Sequence, residues 1–254
     1  MGAPIYAISR NIGRVGTGVS NASWLEIHAV GKRHGVGSKF QIANELFAAR
    51  LGSLFGLPIP PHALFQLNKG TYPATWFGSI DYRLTGESLP PVDPSAVFSE
   101  LPWLATGVVL FDIVIANSDR HEGNLAMDKQ PGKAARLNVF DHGHSICGLE
   151  GLPRFARLRS EFGIDEGADE GANRHCLLDE LTHDDHFSMW YERIQNTPYH
   201  LLTDTANDLE KAEVLSADEA GAMVNFLWGR IQQVRKIVES NKQQFSGIRV
   251  WSLI

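Results

Sequence analysis

Two apolar runs separated by a knot of charged and amide side chains constrain this chain more than any other feature. Residues 110–143 read LFDIVIANSDRHEGNLAMDKQPGKAARLNVFDHG. The first run ends in Asn117-Ser118-Asp119-Arg120-His121-Glu122-Gly123-Asn124, and the second, residues 137–140, delivers Asp141-His142-Gly143. Apolar runs of this kind are driven out of water, so both ends of the polar loop are anchored in a core. Asp119 and Asn124 stand five positions apart, and Asp141 follows after a hairpin-sized gap. That layout points to phosphoryl transfer, in which one carboxylate takes a hydroxyl proton while a carboxamide and a second carboxylate hold magnesium. A base needs a carboxylate within hydrogen-bond reach of the nucleophile, and Mg²⁺ is a hard ion that takes oxygen ligands. Asp119 is therefore the candidate general base, with Asn124 and Asp141 the candidate metal ligands. The competing reading is a solvated loop between two buried elements. The flanking apolar runs, the Asp-to-Asn spacing and the D-x-G directly after an apolar run weigh against it.

Composition narrows the class. A chain of 254 residues, 43% hydrophobic and 20% charged, can bury the core of one large domain or two lobes. A formal net charge of -6 argues against a surface that coats nucleic acid, so no direct nucleic-acid binding is expected. Cys147 and Cys176 form no C-x-x-C and read as reduced thiols of a cytoplasmic protein. The opening MGAPIYAIS has no basic region followed by an apolar core. Tyr6 stands where a myristoylation signal has Ser or Thr. The longest apolar segment, residues 104–116, is interrupted by Thr106, Gly107 and Asp112 and is too short to span a bilayer. No membrane association is expected.

Upstream, NIGRVGTGVSN carries glycines at 13, 16 and 18, which would let backbone N–H groups cradle phosphate oxygens between two strands. The order is neither G-x-G-x-x-G nor a Walker loop, and an ordinary hairpin turn is the alternative. WLEIHAV, residues 24–30, alternates as a strand. A phosphate-neutralising lysine belongs near its end, Lys32 first and Lys39 second, against a solvated turn lysine. Residues 43–55 have the apolar spacing of a helix, with Glu45 in the first turn, where a carboxylate also suits the helix dipole. Strands are expected at 63–66 and 74–77. A Pro-rich linker follows at 84–94, and a buried helix at 95–116. Residues 125–127 and 137–140 form a hairpin that carries Asp141. His142 occupies the position of the Phe in D-F-G and reads as a buried, hydrogen-bonded His. Arg120 and His121 are expected to orient the loop or neutralise Asp119 and Asp141, with a phosphate contact open to either. His175, His183 and His186 with Asp184 and Asp185 fit no standard metal template. Ser216 and Glu219 form a capping box that opens a final helix to about residue 243.

NSDRHEGN followed by VFDHGHSI resembles the HipA-like kinases, in particular their compact stand-alone branch, and more distantly the Asp-Arg-His-x-x-Asn loop of phosphoinositide kinases. The resemblance runs from about residue 13 to 144, through NELFAARLGSLFGLPIPP and TWFGSIDY, and the last hundred or so residues carry no family signature. It implies an α+β, two-lobed protein-kinase-like fold. Residues 1–80 would form a small β-rich N-lobe with the Gly-rich loop, and 81–254 a mainly helical C-lobe. It implies ATP and Mg²⁺ as cofactors, Glu45 as partner of the ATP lysine, and Phe77, Gly78 and Ser79 as the adenine-binding hinge. Thr17, Ser20 and Ser23 are candidate autophosphorylation sites on the same ground. The implied reaction is γ-phosphoryl transfer to Ser/Thr of a protein substrate. The family's toxin–antitoxin members phosphorylate an aminoacyl-tRNA synthetase, so an antitoxin, or a separate partner supplying the N-terminal subdomain of larger members, is the implied partner. A small-molecule or lipid-headgroup kinase is the alternative within the class. A catalytically silent nucleotide-binding pseudokinase is the alternative outside it, fed by the missing V-x-K and the missing Phe of D-F-G.

Overall fold

Strand-forming sequence is concentrated before residue 81 and helix-forming sequence after it, and the α+β structure follows that division. The computed structural model describes residues 10–14, 23–34, 39–67, 74–81, 91–128, 134–148, 150–165 and 174–252. Strands β1 (Arg10–Arg14) and β2 (Ser23–Glu26) pair antiparallel, with a register shift between Asn11 and Gly13. A second antiparallel sheet has the order β3 (Ala29–Lys32), β5 (Ala74–Ile80), β4 (His62–Leu67), so β5 is central. The single strand expected over 24–30 is therefore two strands in separate sheets, parted at Ile27-His28. Residues 26–31 are exposed, so no packed face holds them to one straight ladder.

Helix α1 (Gln41–Leu54) matches the expected helix within two residues. Ten of its residues are buried, on all sides rather than along one stripe, as befits a helix wedged between a sheet and other helices. Gly56, at φ 77, takes the left-handed turn that ends it, and Leu57-Pro58-Ile59-Pro60-Pro61 leads out extended.

The buried helix expected at 95–116 is in fact two, α2 (Pro94–Glu100) and α3 (Pro102–Ile115), bent by 120°. Pro102 supplies no N–H to continue α2 but is well suited to the first turn of a new helix. Asp93 caps α2 by accepting from the Ser95 N–H at 3.0 Å. Among the described residues no single helix is long and apolar enough to cross a membrane, though α2 and α3 together pass by length and composition. From Ala105 to Ile115, α3 is buried inside the protein, where it is the core pillar. Helices α5 (Phe187–Gln195) and α7 (Ala217–Ser240) pack on it, α4 (Arg154–Leu158) meets its C-terminal end, and α6 (Tyr199–Lys211) packs on α7 and α1. Gly107 lets the Trp190 ring of α5 close on α3: a Cβ there would sit 2.1 Å from the indole. The capping box at Ser216 and Glu219 is present, and the final helix ends at Ser240, followed by a 3-10 turn at Lys242–Gln244. Arg50 of α1 bonds Asp208 of α6 at 2.7 Å, tying the small β part to the helical remainder.

Candidate active site

The polar loop is launched from a fixed point. The last carbonyls of a helix have no partner within it, and at the end of α3 buried arginines supply one. Arg230 of α7 donates to Ile113 and Val114, and Arg154 of α4 donates to Ala116 at 2.9 Å. Cations also suit the negative end of the helix dipole. Ala116 then turns left-handed, at φ 48, and the chain enters the loop.

Arg120 holds that loop from beneath. It is 1% exposed and grips Asp112 of α3 in a two-pronged pair, Nε to Oδ2 at 2.7 Å and Nη2 to Oδ1 at 3.0 Å. Its Nη1 donates to the Asn124 carbonyl at 3.0 Å and the Phe140 carbonyl at 2.7 Å. Asn117 Nδ2 and His175 Nε2 also meet Asp112, at 2.9 and 3.0 Å. Burial pushes the Asp112 carboxyl up, but the Arg120 guanidinium and these hydrogen bonds outweigh it and hold the group below the usual carboxylate range.

This frame brings the sequence-predicted residues together. Strands β6 (Leu125–Asp128) and β7 (Arg136–Val139) pair antiparallel, and the Phe140 N–H continues the ladder to the Asn124 carbonyl at 3.3 Å. Asn124 and Asp141 thus emerge from adjacent strand ends. Asn124 Nδ2 donates to the Asp119 carbonyl at 2.7 Å, and the Asp119 N–H donates to Asn117 Oδ1 at 3.3 Å. The Asp119 backbone is fixed on both sides. Asp141 sits at φ 60, left-handed for a non-glycine residue. Such strain costs on the order of 1–3 kcal/mol and persists where the surroundings over-determine it.

Across a cavity of about 340 Å³ the same loop meets the small sheet. Lys32, in register with Phe77, donates to Glu45 Oε1 at 2.6 Å and to Asp141 Oδ1 at 2.5 Å. Glu45 is 2% exposed and also accepts from the His142 N–H at 3.0 Å. Burial pushes its carboxyl up, yet His142 and the Lys32 ammonium bring it down to about 2. Burial lowers Lys32 in turn, and the two carboxylates more than reverse that, raising its pKa. Gly143 allows the close approach to α1: a Cβ there would lie 3.2 Å from Gln41, and Asn44 Nδ2 already holds the Gly143 carbonyl at 2.7 Å.

Lys39 points elsewhere, exposed and paired with Glu219. Phe77 and Ser79 line the cavity, whereas Gly78 lies against the Phe65 ring. Phe77, Gly78 and Ser79 all lie in the central strand, paired to β3 and β4 at once. The strand's exit at Ile80 and Asp81 also lines the cavity. Asp119 and Asn124 do not line it themselves; Gly123, between them in sequence, does. Gly13 lies in β1 opposite Trp24, while Gly16, Gly18, Thr17 and Ser20 lie outside the described residues. His121 Nδ1 accepts from the Gly123 N–H at 3.1 Å and so shapes the loop locally. Burial raises both Cys147 and Cys176 to about 12, leaving inert thiols. Among the described residues no group of three His, Cys, Asp or Glu is placed to hold a metal ion, and the histidines near residue 183 make none.

Sequence reasoning missed Asp112, Arg154, His175 and Arg230. An aspartate inside an apolar helical run was the one available signal for the first.

No protein-family model matches this sequence, and no curated protein matches it. Among solved structures, the proinflammatory kinase CtkA of Helicobacter pylori is similar over 96% of this chain and 98% of its own. The identity is 12% and the TM-score 0.48. HipA from the HipA, HipB and operator DNA toxin–antitoxin complex of Shewanella oneidensis MR-1 is similar over 91% of this chain and 68% of its own. There the identity is 13% and the TM-score 0.41.

Proposed function

We propose that this chain is an ATP-dependent kinase whose N-lobe spans about residues 1–80 and whose C-lobe spans 81–254. The observation that carries the reading is Lys32 held between Glu45 of the following helix and Asp141, 109 positions away, at the wall of a cavity. A lysine fixed by a helix glutamate is what neutralising nucleotide phosphates requires. The apolar lining (Val30, Ala49, Ile59, Phe77) suits a purine ring.

The donor set fits magnesium, since Asp141 and Asn124 offer hard oxygen ligands from adjacent strand ends. When bound, the ion would neutralise charge on the triphosphate. The residues of the chain do the rest. Lys32 holds the phosphates, and Glu45 keeps its ammonium charged and aimed. Among the described residues no hydrogen-bond donor engages the Asp119 carboxylate, which is half-buried and suited to accept a proton. The acceptor hydroxyl gives its proton to Asp119 as its oxygen bonds to the γ-phosphorus. The bond to the β,γ-bridging oxygen breaks, and ADP leaves with that electron pair.

The acceptor is Ser/Thr of a protein, on the strength of the sequence resemblance, which also supports a toxin of a toxin–antitoxin module with an antitoxin partner. Labelled ATP with Mg²⁺ tests the activity in wild type, Asp119→Ala and Asp141→Ala, with a cell lysate as acceptor. Label transferred by wild type alone is expected; nucleotide binding without transfer would mark a silent binding module instead. Growth arrest on expression that vanishes in Asp119→Ala is expected of a toxin.

A further inference from the structure

A deeply buried polar cluster of Asp112, Asn117, Arg120 and His175 lies behind the catalytic loop, and His175 comes from a segment outside the cavity. Residues 174–178 return beneath the loop, where the Cys176 N–H donates to the Arg120 carbonyl at 2.9 Å. His175, 2% exposed, stands between two fixed partners. Its Nδ1 accepts from the Leu177 N–H at 3.2 Å, so that nitrogen carries no proton. Its Nε2 lies 3.0 Å from Asp112 Oδ2 and is therefore the nitrogen that donates to it. Both nitrogens are used, which leaves none for a metal.

We propose that His175 is a positioning residue for phosphoryl transfer, acting through Asp112 and Arg120 on Asn124 and Asp141; this rests on the kinase reading above. The chain of contacts is short. His175 and Arg120 Nε share Asp112 Oδ2, at 3.0 and 2.7 Å, so the histidine fixes where the carboxylate sits. Arg120 divides its donors between that carboxylate and the carbonyls of Asn124 and Phe140, the second immediately before Asp141. Movement of Asp112 therefore passes to both candidate metal ligands. His175 itself does not line the cavity, so its loss should spare nucleotide binding.

The test compares wild type, His175→Ala and His175→Gln, since the Gln amide restores a donor near Nε2. In the full chain, amide hydrogen exchange at residues 117–124 and 140–142 is measured beside kcat and the KM for ATP. His175→Ala should speed exchange in those segments roughly tenfold. It should lower kcat on the order of 10–100-fold, the usual effect of losing a residue behind a ligand, with KM within about twofold. His175→Gln should recover most of both. Wild-type exchange and kcat in His175→Ala would overturn the proposal. So would a Gln variant no better than Ala, or faster exchange spread equally over α3 and α7, which marks general destabilisation. If wild type transfers no phosphate yet exchange responds as described, the positioning stands and the kinase reading fails.

Discussion

Glu45→Gln isolates the electrostatic centre of the site, because it keeps the side chain's size and one acceptor oxygen while removing the charge. In the folded protein the Glu45 carboxyl is held at about 2 against an ordinary 4.5. That gap of about 2.5 pH units, at ~1.36 kcal/mol each, corresponds to about 3 kcal/mol of stability contributed by the ionised form. The folded-state value is the depressed one, so the contribution is fully present above pH about 4.5 and is lost as pH falls towards 2. Other carboxylates, Asp112 among them, titrate in both proteins and cancel in the difference. The assay is urea unfolding followed by tryptophan fluorescence, at pH steps from 7 to 2.5. The gap between wild type and Glu45→Gln should be about 3 kcal/mol from pH 7 to 5 and shrink steadily below 4.5. At pH 7 the melting temperature should fall by roughly 10 °C, at ~2–4 °C per kcal/mol for a chain of this size. Equal stability at pH 7, or a gap that does not change with pH, would refute the reasoning.

Asp112→Asn leaves the Arg120 guanidinium buried without its counter-charge and should cost about 3–5 kcal/mol in the same unfolding assay. Lys32→Ala should reduce phosphoryl transfer on the order of 10²-fold or more; Lys39→Ala, whose side chain is 66% exposed and faces Glu219, should leave it within twofold. Gly107→Ala drives a methyl into the Trp190 ring and should destabilise by about 1–3 kcal/mol in thermal melts, with activity retained at low temperature.

The hairpin that sets Asn124 and Asp141 at adjacent strand ends was legible because its signals are local: short spacing and apolar flanks. Helix α1 and the capping box of α7 were legible for the same reason, their signals lying within a few turns of chain. The break at Pro102 was also written locally, but the long apolar composition of 95–116 masked it. Long-range pairing is where the sequence fell silent. Lys32 and Lys39 look alike near a strand end, and what separates them is the register that sets Lys32 opposite Phe77. Nothing local marks Phe77-Gly78-Ser79 as part of a central strand, because β3, which covers one side of β5, comes from more than forty residues upstream. Asp112 read as a blemish in an apolar run, since its partner His175 lies 63 positions away. Arg230 lies 117 positions from the Ile113 carbonyl it caps. No residue pattern announces a buried arginine whose partners are main-chain oxygens.

A crystal structure with a non-hydrolysable ATP analogue and magnesium tests the central claim most directly. The account predicts one ion ligated by oxygens of both Asn124 and Asp141, with Lys32 on the phosphates and still paired with Glu45. A triphosphate bound elsewhere, or an Asn124 side chain turned away from the ion, would contradict it.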